Sequence, residues 1–481
     1  MSNEVLHIYE GSKHKLGESE YSIVNTTGGN MLSVSGPDVK LFKNGKESLS
    51  DKNCMLFPQT VENSKVIREL FEFTRPKSHK GHPLTIGLGD RLGPATAGHV
   101  RLLKNLDVFP VLAQQSMREL NLTGRSYDDV LAAVVWAVFR EGYTKGYGAD
   151  GDHLKKHEEV KYALDCGFTM ITLDCSEHIR NDLTNALLPD VEALYKELPS
   201  EITSELESRY LGKSFPVDQD MQIEFSKEDL MRIVLVYLPA INHALSVYTE
   251  LLEGKGIDLE ISIDETLSTT TPQAHFFVGS ELIRHNVDFR SIAPRFVGEF
   301  QKGIDYLGDV DEFEKDFKVH VKIANKLGYK ISVHSGSDKF SIFPIVGKYT
   351  GGRYHLKAAG TFWLEAVRVI AKEAPELYRE MHEFALENLP EARKYYYITC
   401  DLSKIKALSD VSDSQLQNYL DEDDARQVLH VTYGLILQAK NSDGSLRFYD
   451  RFYQKLWEFD EEYIAAINKH LERHLIGLGL K

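Results

Sequence analysis

YKISVHSGSDK, the stretch from Tyr329 to Lys339, has the pattern of a buried β-strand that ends in a histidine and a short loop. Ile331 and Val333 alternate with polar residues, which is the period-two pattern of a strand with one polar face. His334 follows directly, and small Ser, Gly and Asp residues come after it. In α/β barrels the catalytic side chains lie at the C-terminal ends of the strands. A single histidine in such a place is more often a hydrogen-bonded core residue, but the arrangement recurs along this chain.

The recurring unit is a strand, a polar loop and a helical stretch. Eight segments have strand character: Leu84–Leu88, Phe109–Ala113, Tyr147–Ala149, Phe168–Leu173, Leu259–Ile263, Arg290–Ala293, Tyr329–Val333 and Tyr396–Cys400. Alternating strands and helices predict a parallel sheet, and eight such units predict a (β/α)8 TIM-like barrel over residues 81–408. A doubly wound open sheet is the competing fold, but no glycine-rich dinucleotide fingerprint follows an early strand.

Three other regions flank or interrupt the predicted barrel. Residues 1–80 contain short β-type runs separated by Gly- and Asn-containing turns, which predicts a small β-rich appendage. The interval of about 178–255 holds two long helical patterns, Asn181–Tyr210 and Ser226–Leu252. A helical insertion in a βα loop lies at the C-terminal face of a barrel and can cover the site. Residues 409–481 are predicted to be helices packed on the barrel.

The composition argues against several classes of protein. A net charge of -16 in 481 residues disfavours nucleic acid as a partner, since phosphate binding requires clustered Lys and Arg. No apolar run approaches the ~18 residues of a membrane span, and the N-terminus lacks an apolar signal core. The four cysteines are scattered, as expected for reduced thiols. We therefore expect a cytoplasmic globular protein that binds neither nucleic acid nor membrane; homo-oligomeric assembly stays open.

Strand parity places several carboxylates inside the predicted barrel. In Leu259–Asp264 the aliphatic side chains should face the helices, so that Glu260, Ser262 and Asp264 face the interior. By the same rule His334 points inward. Interior carboxylates are costly unless they are paired, hydrogen-bonded or bound to metal, and their convergence with histidines favours a cation site. Asp264 could instead cap the segment that follows it, whereas Glu260 lies in mid-strand.

The loop Asp150–His153 is a second candidate for chemistry. Asp152 and His153 are adjacent and would project in different directions. One could then bind a metal while the other acts on the substrate as a base. The alternative is a Gly-containing turn in which an Asp caps a helix at Leu154.

Polar residues follow other strands as well. Gln301 lies in the loop Gly298–Gly303, and its amide oxygen could complete an octahedral metal site with water; it could equally be a surface residue. Segments with basic residues that could clamp an anionic substrate are Asp90–Arg91, Arg295, Asp338–Lys339 and His355–Lys357. Each of these could also be an ordinary surface ion pair.

Several longer motifs resemble those of one enzyme family. They are GLGDRLGPATAGH (Gly87–His99), PVLAQQSMRELNLTGR (Pro110–Arg125), GYGADGDHLK (Gly146–Lys155), SIDET (Ser262–Thr266), APRFVGEFQKGIDY (Ala293–Tyr306), SVHSGSDKFSIFP (Ser332–Pro344) and HLKAAGTFWLEAVRVIA (His355–Ala371). With these motifs the chain resembles the tagaturonate epimerases of bacterial hexuronate catabolism over residues 84–373.

The resemblance implies a reaction and a cofactor. Tagaturonate epimerases interconvert D-tagaturonate and D-fructuronate, two small ketouronates, with a divalent metal cation. Zn, Mn, Ni, Co and Fe are not distinguished by the sequence. By motif, the resemblance implies His153, Gln301 and His334 as metal ligands.

The implied reaction also requires an acid and a base. The two ketouronates differ at a carbon β to the ketone, and simple enolisation cannot invert that carbon because the carbonyl does not acidify its hydrogen. A retro-aldol route can invert it: the Cα–Cβ bond breaks, the aldehyde fragment rotates, and the bond forms again. The resemblance implies Asp152 as the proton acceptor. For the proton donor Glu260 is preferred on parity, since a buried acid with a raised pKa would suit that role; Asp264 and Glu265 are the alternatives.

Other functions stay open at this point. The same residues would serve a ketohexose 4-epimerase acting on fructose and tagatose, a metal-dependent aldolase or a keto-sugar isomerase. A non-catalytic sugar-acid binding protein is a different class, and it is disfavoured because binding alone seldom needs so many titratable groups beside a metal.

Overall fold

The N-terminal region is a small antiparallel sheet followed by a helix. A computed structural model describes residues 4–481, so the first three residues of the predicted appendage lie outside the described part. The elements are β1 (Val5–Ile8), β2 (His14–Leu16), β3 (Ser19–Thr26), β4 (Gly29–Ser35), β5 (Lys46–Glu47), β6 (Cys54–Pro58) and α1 (Val61–Leu70). The sheet order is β1-β3-β4-β6-β5, with β2 paired to β3.

The following elements form a closed barrel of eight parallel strands surrounded by helices. In chain order they are β7 (Leu84–Gly87), α2 (Ala95–Leu103), β8 (Phe109–Gln115), α3 (Met117–Thr123), α4 (Tyr127–Glu141), β9 (Gly148–Leu154), α5 (His157–Asp165) and β10 (Met170–Asp174); then the insertion α6 (Leu188–Lys196), α7 (Ser200–Tyr210), β11 (Ser214–Pro216), β12 (Gln222–Glu224) and α8 (Lys227–Val247); then β13 (Asp258–Ile263), α9 (Pro272–Arg284), β14 (Ser291–Pro294), α10 (Val310–Leu327), β15 (Lys330–Val333), α11 (Phe343–Thr350), β16 (Tyr354–Lys357) and α12 (Phe362–Glu373). The barrel closes in the order β10-β13-β14-β15-β16-β7-β8-β9. The predicted (β/α)8 fold is confirmed.

Side chains alternate along β13 as the parity rule requires. Leu259 and Ile261 are fully buried apolar residues. Glu260, between them, hydrogen-bonds with Thr172 of β10 and Ser291 of β14, the two strands that flank β13. The period-two pattern therefore sends the carboxylate into the barrel interior.

The eighth barrel strand is β16, and the prediction of Tyr396–Cys400 for this strand is wrong. Tyr396–Cys400 has no regular secondary structure. β16 pairs with β15 on one side and β7 on the other, so that the closed barrel has no edge left for another strand. β16 is hard to recognise because His355 and Lys357 make half of its four residues polar. Tyr396–Cys400 has the aromatic and β-branched residues typical of strands.

The insertion after β10 contains the longest apolar helix of the described chain. α8 continues through a π-helical segment to Leu252. By length and composition alone, Lys227–Leu252 could cross a membrane, although the sequence predicted no such segment. Most of it is buried inside the protein, where α8 packs against α6 and α9. This is the environment of a core helix in a soluble protein.

C-terminal helices fix the loop that follows β15. They are α13 (Pro375–Ala392), α14 (Asp423–Val431), α15 (Tyr433–Gln438), α16 (Tyr449–Glu458) and α17 (Asp460–Gly477). Asp338 in the loop lies 3.0 Å from Nε2 of His470 and 3.3 Å from Nε2 of His474, both on α17. Its carboxylate also pairs with Arg426 of α14. Asp338 is therefore engaged within the protein and is not the anion clamp predicted from sequence.

The buried His99 of α2 should make the fold sensitive to acid. Its ring packs on Phe362 with the centroids 4.2 Å apart. Burial, with a smaller effect of His470 and His474, lowers the pKa of His99 to about 3. An unfolded histidine has a pKa of about 6.5, so below pH 6.5 the unfolded chain binds a proton that the folded chain does not. This contribution to stability therefore falls as the pH falls from about 6.5 to 3, by about 1.4 kcal/mol per pH unit.

His99→Leu should remove this sensitivity. Neither ring nitrogen has a hydrogen-bond partner in the described part of the chain, so the substitution loses no hydrogen bond. Urea unfolding at pH 7 and pH 5 should give a pH-dependent loss of unfolding free energy about 2 kcal/mol smaller than in the wild type. The control for replacing a histidine by leucine is His7→Leu, at an exposed position of β1. An unchanged pH dependence in His99→Leu would contradict the assignment.

Candidate active site

A cavity of about 370 Å³ lies at the C-terminal ends of the barrel strands. Its lining includes six of the seven residues predicted for the site, namely Asp152, His153, Asp264, Glu265, Gln301 and His334. The seventh, Glu260, lies outside this lining. The barrel thus brings together residues that are far apart in sequence.

A β-bulge in β9 turns Asp152 and His153 into the cavity. The stretch from Gly151 to Leu154 has one residue more than the facing segment of β10. His153 has a φ of +51°, a left-handed conformation that is uncommon for residues with a side chain. The prediction that these residues form a loop is therefore wrong. They lie in a strand, and the bulge re-aims both side chains to one cavity.

His153, Asp264 and His334 form a group with the character of a metal site. One nitrogen from each ring and one Asp264 oxygen all lie within 4.8 Å of one another. Nδ1 of His334 is 3.2 Å from Asp264 Oδ2, but the two atoms are not aligned for a hydrogen bond. Nδ1 of both histidines is buried without a hydrogen-bond partner among residues 4–481. Free imidazole nitrogens beside a carboxylate fit a divalent cation.

Glu260 orients His334 from behind. Nε2 of His334 lies 2.7 Å from Glu260 Oε1. Burial raises the pKa of Glu260, but Lys357 and two histidines outweigh this and hold it well below its ordinary value. The ionised carboxylate can only accept, so Nε2 carries the proton, which leaves Nδ1 as the nitrogen that a cation beside Asp264 would use. The expectation of a raised pKa for Glu260 is contradicted, and its place suits an orienting carboxylate better than a proton donor.

Lys357 of β16 is the cation at the centre of the interior carboxylates. Its Nζ is paired with Asp152 and lies 3.2 Å from Glu260 and 3.3 Å from Asp150. Burial raises the pKa of Asp152, but Lys357 and His153 hold it below its usual range, so that Asp152 is ionised. The sequence suggested that Lys357 follows a strand and clamps an anionic substrate, whereas it lies within β16.

One lysine does not balance the carboxylates around it. Burial, partly offset by Lys357, raises the pKa of Asp150. Burial alone would lower the pKa of His153, yet Asp152 and Asp174 raise it to about 10. This end of the cavity therefore attracts positive charge, which a divalent cation would supply.

Gln301 lines the cavity, but its amide is engaged elsewhere. Its Oε1 accepts hydrogen bonds from Thr399 and from Gln427, and its Nε2 donates to Glu299. The structure therefore groups Asp264, rather than Gln301, with the two histidines. Gln301 as a metal ligand stays a prediction.

Two other segments predicted to clamp an anion are used for structure. Lys339 Nζ donates to the backbone oxygens of Gln301, Ile304 and Ser337, which ties two loops together. His355 is buried in the barrel and pairs with Thr85.

A cationic wall, formed by Arg91, Arg118 and Lys302, lines the same cavity. Lys302 donates to Ser335 Oγ at 2.9 Å. Burial, followed by the nearby charges of Arg118 and Arg91, lowers its pKa. Of this group, the sequence indicated Arg91 as a possible anion clamp and Lys302 only as part of the polar loop Gly298–Gly303. Arg118 lies on α3 and Lys302 follows β14, and no local pattern indicates that these segments meet.

The fold and the cavity define a class of protein, a (β/α)8 barrel enzyme with a cavity lined by carboxylates and histidines at its strand ends. The model of the tagaturonate epimerase family matches residues 9–478. The chain belongs to this family and is an epimerase, an enzyme of the isomerase class. The predicted family is confirmed, while the roles of individual residues stay predictions.

Relatives cover nearly the whole chain. The tagaturonate/fructuronate epimerase of Thermotoga maritima is 40% identical over 474 residues, which are 97% of this chain and 96% of that protein. A glycerol-complexed crystal structure of the fructuronate-tagaturonate epimerase of Cohnella laeviribosi is 49% identical, with a TM-score of 0.96 over 99% of this chain and 97% of that one. The native crystal structure of the Cohnella enzyme gives a TM-score of 0.95 at the same identity and coverage.

Proposed function

We propose that this chain interconverts D-tagaturonate and D-fructuronate in the cytoplasm, with a divalent cation and by retro-aldol and aldol steps. The names of its relatives support the substrate pair. The observation that carries the mechanism is the placement of the His153–Asp264–His334 group and the ionised Asp152 carboxylate in one cavity.

The steps follow from the chemistry of a β-hydroxyketone. Asp152 accepts the proton of the hydroxyl on the carbon β to the ketone. The C=O bond of an aldehyde forms there, the Cα–Cβ bond breaks, and its electron pair moves into an enediolate. The aldehyde fragment rotates, and the bond re-forms on its other face. A cation held by His153, Asp264 and His334 would supply Lewis-acid stabilisation of the developing negative charge.

The inverted hydroxyl requires a proton from a second acid. Epimerisation leaves the new alkoxide on the opposite face of the carbon, away from Asp152. Of the three acids considered from sequence, Glu260 is buried behind His334 and Asp264 lies with the histidines. Glu265 lines the cavity, with a side chain 40% exposed and 3.8 Å from Lys155. Glu265 is therefore our choice of proton donor.

Glu260→Gln should weaken cation binding without removing a ligand. The glutamine keeps an acceptor for His334 Nε2 but lacks the negative charge that strengthens the other nitrogen as a ligand. Loss of such an orienting carboxylate costs about 10- to 100-fold in metal affinity. Competition with a coloured chelator measures this loss of affinity. The matched control is Ser291→Ala, which removes another hydrogen-bond partner of Glu260. Wild-type affinity in Glu260→Gln would exclude the orienting role.

Product analysis tests the function itself. The protein loaded with a divalent metal is incubated with D-fructuronate, with and without a chelator, and the products are identified by NMR. We expect D-tagaturonate to appear and the chelator to abolish its formation. Accumulating three-carbon fragments would indicate an aldolase, and a moved carbonyl an isomerase. No product from protein that demonstrably contains metal would overturn the proposal.

A further inference from the structure

The cationic wall has hydrogen-bond donors that no group within residues 4–481 accepts from. Arg91 is 5% exposed, and its Nε and Nη1 are buried without a partner in the part of the chain that the structure describes. Lys302 donates to a serine hydroxyl and forms no ion pair within residues 4–481. Arg118 likewise forms none within the described chain and lies over the Tyr396 ring at 5.1 Å. Buried donors without acceptors are costly, so a ligand that supplies acceptors would bind here.

The wall also carries uncompensated charge. Glu119 pairs with Arg91 at 3.0 Å. Its other oxygen accepts the Ser116 backbone N–H, which caps α3. Glu265 also acts on Arg118 and Lys302 across the cavity. Two carboxylates against three cations leave the wall positive by one charge. An anion is therefore the ligand that the wall would accept.

The wall adjoins the reacting end of the cavity. Ser335, the partner of Lys302, follows His334 directly in the chain. Arg91 and Arg118 line the same cavity as Asp152. In a ketouronate a single carbon separates the carboxylate from the carbon that is inverted, so a carboxylate subsite must border the acid–base residues. The cationic wall has this position.

We propose that Arg91, Arg118 and Lys302 bind the substrate carboxylate and make the enzyme selective for ketouronates over neutral ketohexoses. This inference rests on the proposed function. After Cα–Cβ cleavage the carboxylate belongs to the aldehyde fragment. The wall holds that fragment while its aldehyde group rotates. The fragment is therefore neither released nor moved away from the enediolate.

The variant Lys302→Met tests the subsite. The two probes are D-glycerate, which carries a carboxylate, and glycerol, a neutral molecule with the same three-carbon skeleton. NMR titration of the metal-loaded enzyme should show glycerate affinity falling about 10- to 100-fold in the variant, the range for a lost charge-assisted hydrogen bond. Glycerol affinity should change less than about threefold. Because a hydroxy acid also binds divalent cations directly, the measured quantity is the difference between variant and wild type.

Further variants control for folding and for charge. Arg118 is exposed, so Arg118→Gln should leave the fold intact. This variant should lower glycerate affinity, as Lys302→Met does. Arg91 packs on Tyr433 and Glu119, so its removal would disturb the fold as well. Lys348→Met, which removes a lysine on the outer helix α11, should leave both affinities unchanged.

The outcomes separate this inference from the proposed function. If the wild type epimerises D-fructuronate but neither Lys302→Met nor Arg118→Gln loses glycerate affinity, the subsite is overturned and the function stands. If the wild type does not epimerise D-fructuronate while the variants lose glycerate selectively, the function fails and the carboxylate subsite stands. Inorganic phosphate that binds as tightly as glycerate, with the same loss in Lys302→Met, would overturn the assignment to a carboxylate.

Discussion

Asp152→Asn should retain the bound cation and slow epimerisation about 10²- to 10⁴-fold, the usual contribution of a general base. The carboxylate lines the cavity beside His153, and Lys357 keeps it ionised. An amide has nearly the same shape but cannot take up the hydroxyl proton. The loss should therefore appear in kcat and equally in kcat/KM, because the interaction is made only as the proton moves.

A matched variant separates proton transfer from electrostatics. Asp150 also faces Lys357, at 3.3 Å, but does not line the cavity. Asp150→Asn therefore changes the surroundings of the lysine while leaving the base in place. Kinetics and metal content are measured for both variants. Near wild-type turnover in Asp152→Asn would exclude it as the base, and equal losses in both variants would assign the effect to Lys357.

Local sequence patterns predicted most of the barrel and its interior polar residues. Period-two alternation identified the strand before His334 and placed Glu260 inside the barrel, because alternation is a property of the backbone itself. The same pattern failed at β16. Half of its residues are polar because His355 and Lys357 contact groups from distant strands, and such contacts leave no local trace.

The roles within the site depended on contacts that the sequence does not encode locally. Strand alternation predicted the direction of the Glu260 side chain but not its partner. His334 follows β15, which is separated from β13 by β14 in the barrel. Gln301 follows β14 as predicted, yet Thr399 and Gln427 from the C-terminal region donate hydrogen bonds to its side-chain oxygen. The bulge at His153 depends on pairing with β10 and could not be read from β9 alone.

His334→Ala should lose the cation and the activity together. Its Nδ1 is a free nitrogen of the His153–Asp264–His334 group, so the substitution removes one of the three proposed protein ligands. The loss of metal affinity should exceed the roughly 100-fold upper range for removal of an orienting carboxylate. Mass spectrometric metal analysis after dialysis reports occupancy, and thermal unfolding shows whether the barrel is intact.

The comparison that decides this result is with His99→Leu, a buried histidine outside the cavity. At pH 7 that variant should keep both its metal and its activity, since His99 is not among the residues that line the cavity. If His334→Ala retains one equivalent of metal, His334 is not a ligand, and Glu260 then orients a base or a substrate-binding imidazole instead. If His334→Ala loses metal but regains turnover when metal is in excess, His334 contributes affinity alone. Loss of both, without rescue, is the result that the geometry of its two ring nitrogens predicts.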